Sequence, residues 1–319
     1  MSSLLRRALL ASLALIALTT AAGLPAQVQP RPSEIMPRAA QGLTLSVVNN
    51  GKHLFTVGER GQILASNDGL AWAQVAVPVR ATLTALSFVD DEIGWAVGHD
   101  AAILKTEDGG KSWMLQNFEP EKETAFLSVV ATDRNHAYAV GAFGLFYATR
   151  DGGISWAEVA APPIREEELY FHSIVKLNDG SLFIAGETGM LGVSADGGRW
   201  QRLKSPYQGS WFGALPHGRK GALIYGLRGN VYLSDDVRGG RWRKLDLGSE
   251  ASLFGGSLLD DGRAVLVGLS GAVFVVDAAG NKAEPLRSGL SYSLCGVAPV
   301  KGGLVVVGDY GIKRLDAAL

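Results

Sequence analysis

Chemistry, if this chain performs any, has few places to sit. Glu119, Glu121 and Glu123 crowd one connection and Glu166-Glu167-Glu168 another. Two carboxylates about 5–9.5 Å apart across a cleft would suit glycoside hydrolysis. Clustered charge of this kind otherwise reads as a solvated loop. The five histidines, His53, His99, His136, His172 and His217, are spread along the chain without the close spacing of metal ligands, so no metal or other cofactor is expected. Neither a phosphate-cradling glycine loop nor a Ser-His-Asp arrangement stands out. Cys295 is the only cysteine, which excludes an internal disulfide. Its place in the apolar stretch Leu294 to Val297 predicts a buried small hydrophobe. A net charge of −1 gives no reason to expect nucleic acid as a partner.

The segments that would have to position such groups repeat along the chain, and repeats decide a fold before anything else does. A glycine recurs at Gly58, Gly98, Gly141, Gly186, Gly226, Gly268 and Gly308, spaced by 40, 43, 45, 40, 42 and 40 residues. Three residues later stands a second glycine (Gly61, Gly144, Gly189, Gly229, Gly271, Gly311), broken only by Ala101. A tryptophan recurs at Trp72, Trp113, Trp156, Trp200 and Trp242. Ahead of it stand turn residues: Asn67-Asp68-Gly69, Asp108-Gly109-Gly110, Asp151-Gly152-Gly153 and Asp196-Gly197-Gly198. A fifth copy, Asp235 to Gly240, is looser, and a sixth keeps Asp277 and Gly280. Between these marks the apolar residues alternate by two, which specifies strands and not the helices that can share such a period.

About four short strands in each unit of 40–45 residues is the propeller signature. The expected fold is all-β: a seven-bladed β-propeller of four-stranded blades. Blade 2 reads as strands Leu83–Val89, Gly94–Gly98, Ala102–Thr106 and Trp113–Asn117. The chain stops soon after the third strand of blade 7, so residues 33–37 are expected to supply its outer strand and close the ring, hiding a sheet edge.

Residues 1–26 differ from the rest. Arg6-Arg7, the apolar run Ala8 to Leu18 and the small residues Thr19 to Gly23 predict a secretory signal, cleaved after Ala22 or Ala26. No cysteine follows the run, which argues against a lipid anchor. Losing Arg6 and Arg7 would take the net charge from −1 to −3. Residues 27–42 read as linker and closing strand, and 43–319 as the propeller. The expected location is periplasmic or secreted, with no membrane insertion after cleavage.

In Thr106-Glu107-Asp108-Gly109-Gly110-Lys111-Ser112-Trp113, the Asp carboxylate is placed to accept backbone N–H groups of its own turn. This pattern resembles the Asp-box of bacterial-neuraminidase-type repeats. Asp68, Asp108, Asp151 and Asp196, with the five tryptophans, are assigned a structural role, since copies around a rim cannot all be catalytic. Together with the Val-Gly-x-x-Gly element, the array over residues 33–316 resembles the photosystem II stability/assembly factor family and its BNR-like bacterial relatives. That resemblance implies an exported, non-catalytic interaction scaffold serving a membrane complex. In bacteria without photosystems, relatives of this kind are linked to membrane exporters. The family's basic patch has only scattered counterparts, Arg60, Arg80, Arg165 and Arg228.

The rival class is a sialidase-like Asp-box glycoside hydrolase. Sialidases are six-bladed, with an Arg triad and an early Arg-Ile-Pro. Here seven repeats are counted, and the nearest echo, Pro163-Ile164-Arg165, falls in a connection. A binding platform is the better reading. Its expected face carries the connections between blades, because loops that vary on a rigid scaffold hold recognition. Candidate residues there are Arg60, His99, Phe143, Arg165, Tyr170, Trp211, Phe212, Arg228, Tyr292 and Tyr310, and the expected partner is a membrane-protein complex or other envelope protein.

Overall fold

The computed structural model describes residues 28–317. Seven antiparallel sheets follow one another along the chain, each formed from consecutive strands, and together they make the seven-bladed propeller. In blade 2 the strands are Leu83–Phe88, Gly94–Gly98, Ile103–Thr106 and Met114–Asn117. The second strand of every blade is buried along its whole length, because blades pack on both of its faces. Alternating Val, Ile, Leu and aromatic residues therefore fill the interfaces between blades. Trp95, Phe126, Phe146, Phe171, Phe183 and Trp211 are among the largest fully buried side chains. Each is worth roughly 1.5–3 kcal/mol of burial.

The repeated glycines have two separate causes. The first of each pair is extended backbone (φ −170° at Gly58), so its requirement is space. A Cβ at any of the seven would lie 2.0–2.2 Å from the carbonyl oxygen that leads into the innermost strand of the same blade. The second glycine has a positive φ, and at Gly61 an added Cβ would strike the Val79 carbonyl of the connection entering the next blade. One glycine thus tightens a blade and the other seats the next blade upon it. Blade 2 solves the problem differently, with Asp100 and Ala101 both at positive φ and the Ala101 N–H donating to the Thr124 carbonyl.

Six sheets pair four strands each, and among the described residues the seventh pairs three. The segment expected to complete it lies elsewhere. The Ser33 N–H donates to the Val77 carbonyl (2.9 Å), Gln74 Nε2 donates to the Glu34 carbonyl (2.9 Å), and Arg80 pairs with Glu34. Residues 33–36 therefore run along the outer edge of blade 1. The reason is connectivity: a turn at 37–41 leads directly into the innermost strand of blade 1, Thr44–Asn49, and leaves the preceding arm on that blade's own flank. The ring closes instead by side-chain packing. Val47 and Leu54 of blade 1 bury against Val305 and Val307 of blade 7, and Arg314 Nη1 donates to the Asp68 carbonyl at 2.7 Å. The leader expected at 1–26 lies outside the described residues, among which no helix is long and apolar enough to cross a membrane.

The Asp turns occupy one rim. Asp108 Oδ1 accepts the Ser112 N–H (2.9 Å) and the Thr106 hydroxyl (2.9 Å), and Oδ2 accepts the Ser112 hydroxyl (2.6 Å). Asp151 repeats these bonds with Ser155 and Thr149. Asp68 and Asp196 keep the bond from the preceding serine hydroxyl, Ser66 or Ser194, and cap the two N–H groups that follow Gly69 and Gly197. The tryptophans wedge between blades: Trp113 packs with Phe55 of blade 1, and Trp200 lies edge-on to Phe146 of blade 3 at 5.3 Å.

Candidate functional site

The opposite rim carries the Gly-x-x-Gly turns and the connections between blades, and the axial channel opens there. Near its start each innermost strand has a β-bulge: the pairing register slips between Leu83 and Ala85, between Phe171 and Ser173, and at the equivalent point of the other five blades. A bulge re-aims one side chain. Seven half-buried residues are affected, Leu45, Thr84, Leu127, His172, Phe212, Phe254 and Cys295, one from each blade. They line a channel of about 280 Å³. None of the seven carries a charge at neutral pH.

The ring of seven is lopsided. His172, Phe212 and Phe254, from blades 4, 5 and 6, form an arc with centroid spacings of 5.2 and 5.4 Å. The arc continues outward: Tyr170 lies 6.2 Å from His172, and Phe143 lies 4.9 Å from Tyr170 at a steep interplanar angle. Phe143 is 59% exposed on the rim. Across the mouth, Tyr292 and Tyr310 pack edge to face at 5.0 Å.

His172 is fixed by its neighbours. Its Nδ1 lies 3.0 Å from the Trp211 carbonyl, which can only accept, so Nδ1 carries the proton and Nε2 is left as an acceptor. Thr84 makes the equivalent bond two blades away, donating to the Phe126 carbonyl at 2.7 Å. Burial lowers the His172 pKa, and the Trp211 carbonyl and Glu187 offset this only in part. The ring is therefore neutral at pH 7. Cys295 is half-buried at the channel mouth and is not a core residue; burial raises its thiol to about 11.

The residues singled out from the sequence separate by environment. Arg60, His99, Arg228 and Tyr310 stand exposed on this rim, and Tyr170 and Tyr292 are half-buried beside the mouth. Trp211 is fully buried, its indole N–H donating to Ser205 Oγ at 3.0 Å, so it packs between blades and faces no ligand. Arg165 is half-buried and tied to the Val159 carbonyl (2.8 Å) and to the Glu158 carboxylate. Arg60 and Arg228 belong to blades 1 and 5, so no arginine patch forms from these positions. In the acidic connections Glu119 pairs with Lys122, and Glu167 with Arg202. Leu45, Thr84, Leu127, His172, Phe254 and Cys295 were not anticipated as a ring. A spacing of 13 or 14 residues ahead of the first glycine marks all seven positions.

The fold is thus a seven-bladed all-β propeller whose axial channel is lined by uncharged and aromatic side chains. The family model for the photosynthesis system II assembly factor YCF48 matches residues 64–131 and 118–283, and the chain belongs to that family. A photosystem II assembly lipoprotein Ycf48 from Synechococcus is 26% identical over 132 residues, 41% of this chain and 39% of that protein. The aligned stretch thus spans about two fifths of that relative's length. Among solved structures, a YCF48 bound to a D1 peptide superposes with TM-score 0.69 at 17% identity, covering 92% of this chain and all of the other. The WD40 propeller of Doa1 superposes with TM-score 0.70 at 12% identity, over 91% of this chain and 97% of that domain. These two likenesses concern the fold alone.

Proposed function

We propose that this protein is an exported, non-catalytic assembly or stability factor that holds a segment of a membrane-protein complex, using the rim where the channel opens. The observation that carries this reading is the family match across residues 64–283. One other supports it: the propeller neighbour YCF48 is bound to a D1 peptide. Export rests on the leader at 1–26 and on the relative's designation as a lipoprotein. In a bacterium without photosystems, an exporter complex takes the place of the photosystem as partner.

The test is removal of the protein from its host, with a tagged copy recovered from solubilised membranes. An unassembled integral-membrane subunit should co-purify, and the corresponding mature complex should fall severalfold on native gels. The recovered protein should begin just after Ala22 or Ala26. No membrane subunit with the tagged copy and unchanged complex levels would refute the reading, as would cleavage of a glycoside by the pure protein.

A further inference from the structure

We propose that the aromatic arc Phe143–Tyr170–His172–Phe212–Phe254 is a recognition site for an extended, uncharged peptide segment rich in apolar or aromatic side chains, with Nε2 of His172 accepting one hydrogen bond from it. The proposal rests on the contact-acting reading above and names the part of the rim that makes the contact.

Phe143 supplies the first argument. It occupies the left-handed position of its Gly-x-x-Gly turn, with φ 52° and ψ 36°. In the other blades this place holds Arg60, Asp100, Thr188, Arg228 and Ser270, left-handed as well but at home in water, and Tyr310, whose backbone is not left-handed. A phenylalanine there is strained and also sets an apolar ring in solvent. Folding gains from neither, and strained, exposed groups of this kind cluster at ligand sites.

Continuity is the second argument. Five rings run without a gap from the rim into the channel, each edge-on or tilted to the next. Such edges and faces accept apolar and aromatic side chains along a strand-like segment. The channel lining carries no charge to balance an ionised group, so an acidic or basic residue entering it would lose hydration uncompensated.

The third argument is the locked histidine. Its Nδ1–H is committed to Trp211, so the ring can only accept at Nε2. One donor on the ligand, a backbone N–H or a hydroxyl, completes it. Protonation at Nε2 would replace the acceptor with a charged donor. The charged group facing His172 is Glu187, from the short helix at 187–189. Tyr170 is its other titratable neighbour, while the flanking innermost strands present Leu127 and Phe212. The pKa of His172 lies below the ordinary histidine value, so the acceptor form persists through neutral pH and is lost only as pH falls through that lowered value.

The test uses a displayed library of random dodecapeptides selected on the immobilised full chain at pH 7.5. Enriched peptides should be apolar or aromatic and poor in acids. Their dissociation constants should rise at least tenfold in Phe143→Gly and in Phe212→Ala. Phe143→Gly keeps the proposal falsifiable if Phe212→Ala fails to fold, because glycine relieves the left-handed backbone and the variant should melt no lower than the parent. Binding in the parent should hold through neutral pH and weaken only as pH falls through the lowered His172 value, a loss absent in His172→Gln. Peptides that are acidic and depend on Arg60 and Arg228, equal binding by Phe143→Gly, or no enrichment at all would overturn the site. If Phe143→Gly still captures the membrane subunit as the parent does, the arc is wrong and the contact-acting function stands. If the parent captures no subunit, that function falls by itself.

Discussion

Replacing Asp108 with Ala tests whether the turn rim is architecture. The carboxylate holds three bonds: two from Ser112, which is exposed, and one from the Thr106 hydroxyl, which is fully buried. Water can replace the carboxylate at Ser112, so those bonds contribute little net. The Thr106 hydroxyl keeps its acceptor role toward the Gly110 N–H (2.8 Å) but loses the partner for its own proton. Loss of a cap of this kind together with one stranded buried donor costs about 1–2 kcal/mol. For a domain of this size that is roughly 2–3 °C in melting temperature. The pH dependence follows from the same contacts. Burial pushes the Asp108 carboxyl up, but the bonds from Ser112 and Thr106 outweigh it and hold the group below its ordinary value. A depressed carboxylate stabilises the fold above its unfolded pKa, and that stability disappears as pH falls through the folded one. Calorimetric or urea melts of parent and variant should therefore differ at pH 7, begin to approach each other below about pH 3.8, the ordinary value, and converge only below the lower folded one. Identical melts at pH 7 would refute the structural role, as would loss of membrane-subunit capture by a fully folded variant.

Three further outcomes are expected. Gly141→Ala should lower stability by about 3 kcal/mol or more, because its Cβ would stand 2.0 Å from the Ala125 carbonyl oxygen in a packed blade; an unchanged urea midpoint would contradict this. Deleting residues 28–37 should cost about 1–2 kcal/mol through the lost Ser33–Val77 pairing and leave a monomer on size exclusion; association would show that the arm guards an open edge. Cys295, with its thiol raised to about 11, should react with iodoacetamide at pH 8 at least tenfold more slowly than free cysteine and speed up as pH rises; parity with free cysteine would place the thiol outside the channel mouth.

Much of this molecule is written locally. The Gly-x-x-Gly and Asp-turn marks specify hairpins through backbone space and turn hydrogen bonding, which act within a few residues, so seven blades were countable from spacing alone. Alternation by two gave the strand faces for the same reason. Other features needed the ring to form. Residues 33–37 were expected on the edge of blade 7, yet their bonds go to the edge of blade 1, because the turn that follows fixes which flank they can reach. Trp211 and Phe212 are adjacent and equally apolar, but a bulge turns one into the core and the other into the channel. Arg165 looked available in sequence and is consumed by Glu158. The arc from Phe143 to Phe254 joins residues more than a hundred positions apart. Only closure of the seven blades about one axis makes them neighbours, because the radius of the ring, and not any local preference, sets how near the starts of the innermost strands come to one another.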